Sequence, residues 1–219
     1  MRLKNLLLDL FFPSFCLHCQ KLGYLLCENC YHGLEFYFLQ NKLEEITPHF
    51  ETAYLDQLQI IARFNFTLQK LVKALKYKNS KNVAPFLAKM LWRHLLIPEA
   101  DLITFVPLHP RKLKLRGYNQ CQEIALELAK LSNIPAKNLL EKKINNQAQA
   151  QIKNQAERLE RMANLFAVRE KYQNFVKEKK IILLDDILTT GATLNAASQA
   201  LKKAGAKKVF GLIIGSKME

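Results

Sequence analysis

The residues with the most chemistry to offer stand together near the carboxyl end of the chain, in Asp185-Asp186-Ile187-Leu188-Thr189-Thr190-Gly191-Ala192-Thr193. Two adjacent carboxylates have little reason to enter an apolar core. They can accept hydrogen bonds from vicinal sugar hydroxyls, and their oxygens suit a hard divalent cation such as Mg²⁺. The Thr-rich stretch after them offers hydroxyls and backbone N–H groups, and Gly191 lets the main chain approach an anion closely. Where such a stretch opens a helix, the positive end of the helix dipole favours a phosphate monoester. A ribose carrying a 5′-phosphate matches both halves.

A second set is Cys16-Leu-His-Cys19 and Cys27-Glu-Asn-Cys30, a pair of CxxC motifs. Four thiolates at this spacing can close a tetrahedral zinc site, each motif forming one knuckle. A disulfide framework is the competing arrangement, but nothing in the chain indicates secretion, and cytosolic thiols stay reduced. Four cysteines leave no vacancy for His18 or His32. A closed site of this kind serves folding rather than chemistry. The fifth cysteine, Cys121, falls in a helical pattern and reads as a small buried residue.

Several elements must position these groups. The apolar run 181–184 suits a strand buried on both faces and ends at the two acids. From Leu194 an Ala-rich helical pattern runs to Lys203, and Gly205 stops it. Residues 102–106 and 208–214 read as further buried strands, and 51–55 with 59–64 as a possible hairpin. Helical periodicity covers 66–75, 83–96 and 122–131, with Trp92 expected in the core. The aromatic-rich stretch 34–38 is expected to pack the cysteine module onto the rest. The expected fold is α/β, a mostly parallel sheet flanked by helices, with a small amino-terminal zinc module. The boundary is placed at residue 45, giving 1–45 and 46–219.

The net charge is +14, and its placement matters more than its size. Residues 57–122 hold twelve Lys/Arg against two acids, Glu99 and Asp101. Such a footprint suits a polyanion, although a solvated basic surface gives the same count. Much of it falls in 107–120, where Pro107 and Pro110 are expected to hold a loop away from helix and Arg111, Lys112, Lys114 and Arg116 crowd it. A loop after a parallel strand lies at the sheet edge where α/β proteins bind ligands. His109 lacks a partner that would make it a general base, and no catalytic residue is assigned. No apolar run is long enough to span a bilayer. The first thirteen residues are interrupted by Asp9 and Pro13 and lead to no cleavage site, so they read as an amphipathic helix of a cytoplasmic protein.

Residues 181–193 resemble the phosphoribosyl pyrophosphate (PRPP) signature of type I phosphoribosyltransferases: four apolar residues, two acids, two apolar residues, then Thr-Thr-Gly-x-Thr. The resemblance implies that Asp185 and Asp186 meet the ribose hydroxyls and Mg²⁺, and that Thr189, Thr190, Gly191, Ala192 and Thr193 hold the 5′-phosphate. It also implies that Leu108, His109, Pro110, Arg111 and Lys112 receive the pyrophosphate, through backbone N–H groups and Arg. The longer pattern Val-Pro-Leu-His-Pro-Arg-Lys-Leu-(x)2-Arg-Gly-Tyr-Asn-Gln, from Val106 to Gln120, is similar to the ComF family of competence-associated proteins. So is the order of parts: cysteine module first, Glu160-Arg-Met-Ala-Asn164 with Phe166 in the middle, PRPP signature last.

That resemblance implies a protein of DNA uptake and natural transformation. It would bind PRPP with Mg²⁺, contact single-stranded DNA through residues such as Lys73, Lys76, Lys78 and Arg116, and meet other DNA-uptake proteins. The alternative it allows is an active phosphoribosyltransferase acting on a base or amine. Two departures stand out. Asn79 and Ser80 replace a glycine usual after Lys76-Tyr77-Lys78. Gln147, Gln149, Gln151 and Gln155 compete for one position in the region that forms a lid in related transferases.

Overall fold

The computed structural model describes residues 15–41, 52–77, 82–143 and 165–218. The expected amino-terminal helix, Lys78, the glutamines 147–155 and the 160–164 motif lie outside them. In chain order the elements are α1 (Glu28–His32), β1 (Phe36–Asn41), β2 (Gln57–Arg63), α2 (Phe66–Tyr77), α3 (Val83–His94), β3 (Leu102–Phe105), α4 (Pro110–Arg116), α5 (Gln120–Ser132), β4 (Leu140–Lys142), β5 (Phe166–Val168), α6 (Gln173–Val176), β6 (Lys180–Leu188), α7 (Ala192–Lys203) and β7 (Lys208–Ser216).

The architecture is the expected α/β one. A five-stranded sheet runs in the order β1-β2-β7-β6-β3, and β4 pairs with β5 in a separate small sheet. Every neighbour in the large sheet is parallel except β1, which is antiparallel to β2. Side chains alternate faces along a strand, and β6 shows this directly. Its Ile182 and Leu184 join a core built with α2, α3 and α5, while Ile181 and Leu183 join a second core built with α7 and the β4–β5 pair. Burial on both faces explains why 181–184 reads as an unbroken apolar run.

Three expectations are corrected. Residues 52–55 form no strand, so there is no hairpin with β2; the antiparallel partner of β2 is β1, with Leu39 opposite Ile60 and Asn41 opposite Leu58. β2 lies between β1 and β7 with Leu58, Ile60 and Ile61 fully buried, and half-exposed β1 takes the outer place. That strand lies before residue 45 in the chain and yet belongs to the sheet. Trp92 is 44% exposed rather than core, because α3 buries Val83, Leu87 and Leu91 on a stripe that Trp92 falls outside. Pro107 and Pro110 do not exclude helix: Pro110 opens α4 at its first position, where its missing N–H costs no bond and its fixed φ is already helical. His109 caps that helix by accepting the Arg111 N–H at 3.2 Å on Nδ1, and Gly117 closes it with φ 78°.

The cysteine module docks onto α3 through His94. Its Nε2 lies 2.5 Å from the Tyr31 hydroxyl, and its ring stacks on Phe36 at 4.4 Å between centroids. Burial, reinforced by the neighbouring Arg93 charge, holds the His94 pKa below its ordinary value, so the ring packs in its neutral form.

In β7, Gly211 is a close-approach position. A Cβ there would stand 2.6 Å from Leu55 Cδ2 and 2.9 Å from Leu58 Cδ1. Gly211→Val is expected to destabilise the fold by about 1–3 kcal/mol through overpacking. Urea titration measures this, and unchanged stability would show that the two leucines give way freely.

Candidate functional site

The strand β6 does not end at the acids as the sequence pattern predicts; it continues through them to Leu188. Asp186 is thereby drawn inside, 7% exposed, and it is fully engaged. Its Oδ2 takes an ion pair from Lys76 Nζ at 2.6 Å and a hydrogen bond from Gln120 Nε2 at 3.1 Å. Its Oδ1 accepts the Ile187 N–H at 2.8 Å. Asp185 is less enclosed: Oδ1 accepts the Asp186 N–H at 2.8 Å, and the Cys121 thiol lies 3.6 Å away.

Charge is shared unevenly between the two acids. Burial first, then the Asp186 charge, raises the Asp185 pKa to about 7 from a carboxyl's usual 3.8. Burial and the two acids push the Cys121 thiol well above its ordinary value, so it stays protonated. Sγ of Cys121 and carboxylate oxygens of Asp185 and Asp186 lie within 4.8 Å of one another. With the thiol neutral, the oxygens alone suit a hard cation such as Mg²⁺.

Beyond Leu188 the chain turns through exposed Thr189 and Thr190 into α7. Gly191 caps that helix at φ 74°, a left-handed conformation that a side chain rarely tolerates. Thr193 is exposed on the first turn, and the Thr190 hydroxyl faces the Ala192 N–H at 3.5 Å. The acids and the Thr-rich turn thus share the carboxyl edge of a parallel sheet, the place where such sheets bind ligands.

Leu108 to Lys112 lead from the carboxyl end of the neighbouring β3 into α4, with Arg111 and Lys112 exposed. The basic segment is wired to the acids: Arg116 Nη1 donates to Gln120 Oε1 at 3.2 Å, and Gln120 donates on to Asp186. From the other side, the Tyr118 hydroxyl donates to the Leu75 carbonyl at the end of α2, next to Lys76. Of the residues singled out for polyanion contact, Lys73 is exposed on α2, whereas Lys76 is committed to Asp186 and Arg116 to Gln120. Gln120 and Cys121 escaped the sequence reading as site residues. The available signal was Asn119, which caps α5 by accepting the Cys121 N–H at 2.9 Å and so aims the first turn at the acids.

The four amino-terminal cysteines come together as their spacing predicts. All are free thiols, and their sulfurs lie within 4.8 Å of one another. A tetrahedron of Zn–S bonds near 2.3 Å puts sulfurs about 3.8 Å apart, so the cluster fits a closed metal site with little adjustment. Burial opposes ionisation of Cys16, but N–H groups of Cys19, Cys27 and His18 outweigh it and bring the thiol to about 6. Burial and the neighbouring cysteines push Cys30 to about 12. Without a cation the four cannot all ionise. His18 is occupied elsewhere, with Nδ1 at 2.7 Å from the Thr67 hydroxyl.

Comparison with known proteins agrees with this geometry. The family model described as "Phosphoribosyl transferase domain" matches residues 121–214, from Cys121 through both acids into β7. The protein is therefore an α/β phosphoribosyltransferase-type fold with an amino-terminal four-cysteine cluster. Competence protein F of Haemophilus influenzae is 27% identical over 209 residues, covering 90% of this chain and 87% of the relative. Competence protein ComFC of Streptococcus pneumoniae is 36% identical over 110 residues, covering 49% of this chain and 46% of its own. Over most of its length the chain is similar to Competence protein F, and over half of it to ComFC. Among solved structures, the glutamine PRPP amidotransferase of B. subtilis in complex with ADP and GMP aligns with a TM-score of 0.45 at 23% identity, over 64% of this chain and 30% of that one. UMP synthase of Leishmania donovani aligns at 0.34 and 18%, over 66% and 24%. Among the described residues, no helix is long and apolar enough to cross a membrane.

The raised Asp185 pKa fixes a sign. A carboxyl that holds its proton more tightly folded than unfolded favours the fold at pH values below about 4, and that contribution is lost as pH rises through about 7. Asp185→Asn escapes this loss. Its stability relative to the parent chain is expected to be higher at pH 8 than at pH 5 in chemical denaturation. An equal difference at both pH values would show that Asp185 ionises freely.

Proposed function

We propose that this chain binds PRPP together with Mg²⁺ and also binds single-stranded DNA, acting in the cytoplasm during DNA uptake in natural transformation. The observation that carries the PRPP half is the shared sheet edge, where two carboxylates adjoin an exposed Thr-rich turn capped by left-handed Gly191. Thr189 to Thr193 hold the 5′-phosphate with hydroxyls and N–H groups at the start of α7. Asp185 and Asp186 take the ribose hydroxyls and the cation, which when bound neutralises charge on the polyphosphate. Leu108 to Lys112 face the pyrophosphate, with Arg111 and Lys112 supplying charge. The DNA half rests on the basic excess of 57–122, and on the similarity to proteins named for competence.

A second reading has an observation of its own. The relay Arg116–Gln120–Asp186–Lys76 couples the basic segment beside the leaving group to the acid beside the ribose. Rigid coupling of those two ends is what displacement of pyrophosphate by a base or amine requires. The deciding experiment follows pyrophosphate release from Mg²⁺–PRPP with a panel of nucleobases and amines, beside PRPP binding on the same samples. The expected result is PRPP binding that Asp185→Asn/Asp186→Asn weakens at least about tenfold, since both carboxylates are removed from ribose and cation. Acceptor-dependent release, lost in that variant, would replace the binding role with a transferase. PRPP affinity unchanged by the variant would remove the acids from the site.

The cysteine cluster is assigned a structural Zn²⁺ held by Cys16, Cys19, Cys27 and Cys30. Cys27→Ser/Cys30→Ser is expected to purify without zinc and to lose amide protection in β1. A metal-free double variant as stable as the parent chain would remove zinc from the fold.

A further inference from the structure

Three aromatic rings on this chain each have a lysine beside them, and contacts connect the three pairs. At the cysteine knuckle, Tyr24 is 47% exposed and Lys21 Nζ stands 5.7 Å from its ring centre. At the first residue of α2, Phe66 is 59% exposed with Lys70 Nζ at 4.9 Å. At the end of β2, half-buried Phe64 has Lys217 Nζ at 4.7 Å.

Contacts link the three pairs to one another and to the knuckle. Phe66 meets the knuckle by an edge contact with the His18 ring at 5.5 Å, and the adjacent Thr67 hydroxyl lies against the same imidazole. Within the knuckle, the Cys16 N–H donates to the Lys21 carbonyl at 2.8 Å, and Phe15 bridges Leu22. At the other end, the Phe64 N–H donates to Ser216 and the Lys217 N–H donates to the Leu188 carbonyl at 3.0 Å. Leu188 immediately precedes Thr189, the start of the phosphate turn. The connected pairs therefore begin beside the proposed PRPP site and end on the cysteine module.

We propose that this strip of ring–lysine pairs is the track for single-stranded nucleic acid, its bases stacking on Phe66 and Tyr24 while Lys21, Lys70 and Lys217 meet the backbone phosphates. The inference rests on the DNA-binding half of the proposed function and gives it a location, away from the Lys76 and Arg116 side chains that the acids and Gln120 already hold. An exposed ring is a sequence-tolerant platform, because every base has a flat face. An acidic peptide would match the lysines and leave the rings without a role. A duplex keeps its bases stacked on one another and cannot use them either. The zinc module then serves recognition by holding Tyr24 and His18 in place.

The test uses the full zinc-loaded chain and a fluorescently labelled oligothymidylate, with anisotropy recorded across a salt series. Phe66→Leu and Tyr24→Leu keep apolar bulk but lose the ring, and each is expected to weaken binding by about tenfold without changing the salt slope. Lys70→Gln and Lys217→Gln are each expected to flatten the slope by about 0.7. Phe66→Tyr and Tyr24→Phe restore a ring and are expected to bind as the parent does, which separates stacking from misfolding. Parent binding with ring variants within about twofold of it overturns the track and leaves DNA binding standing. Duplex bound as tightly as single strand also overturns it. No binding by the parent chain overturns the track and the DNA half of the proposed function together.

Discussion

Asp186 is a carboxylate pulled into a nearly closed space at the end of a central strand, and an isolated charge there would be costly. Three elements meet to make it tolerable: β6 supplies its own N–H, α2 brings Lys76, and α5 brings Gln120. That requirement fixes how far α2 and α5 reach, since one must end and the other begin where its polar residue touches the acid. Asp185, next in line, then stands against a charge already in place, and the pair cannot ionise independently. The site is in this sense assembled around one anion before any ligand arrives.

The amino-terminal module is tied to this arrangement at several points. Its chain leaves Cys30 in α1 and enters β1 within a few residues, its Tyr31 meets His94 on α3, and its Leu26 and Leu34 join the core of α2, α3 and α5. His18 reaches Thr67 at the start of the helix whose far end carries Lys76. One helix thus meets the cysteine knuckle through His18 at one end and the acid at the other.

What the sequence made legible was local. Strand, acids, turn and helix follow one another within residues 181–203, and each is signalled by its own neighbours. The four cysteines are similarly self-declaring. The misread parts depend on what lies across the sheet or on a change of role. Pro110 reads as a helix breaker until it is seen to open one. Gln120 and Cys121 reach the acids across 66 and 64 residues of chain, and no periodicity marks them. Trp92 has the composition of a core residue, but its angular position on α3 puts it outside the buried stripe. The β1–β2 pairing was hidden because the edge strand comes from a stretch that looks like part of the cysteine module.

That pairing gives the edge strand a protective office. β2 is buried along most of its length, with Leu58, Ile60, Ile61 and Ala62 wholly sequestered, and β1 covers its outer row of hydrogen-bonding groups. Were β1 to peel away, a sticky strand with an open ladder would face other copies of the chain, the usual template for edge-to-edge aggregation. Because β1 is continuous with the sulfur-bearing segment, whatever gathers those four sulfurs also keeps the molecule from polymerising on itself.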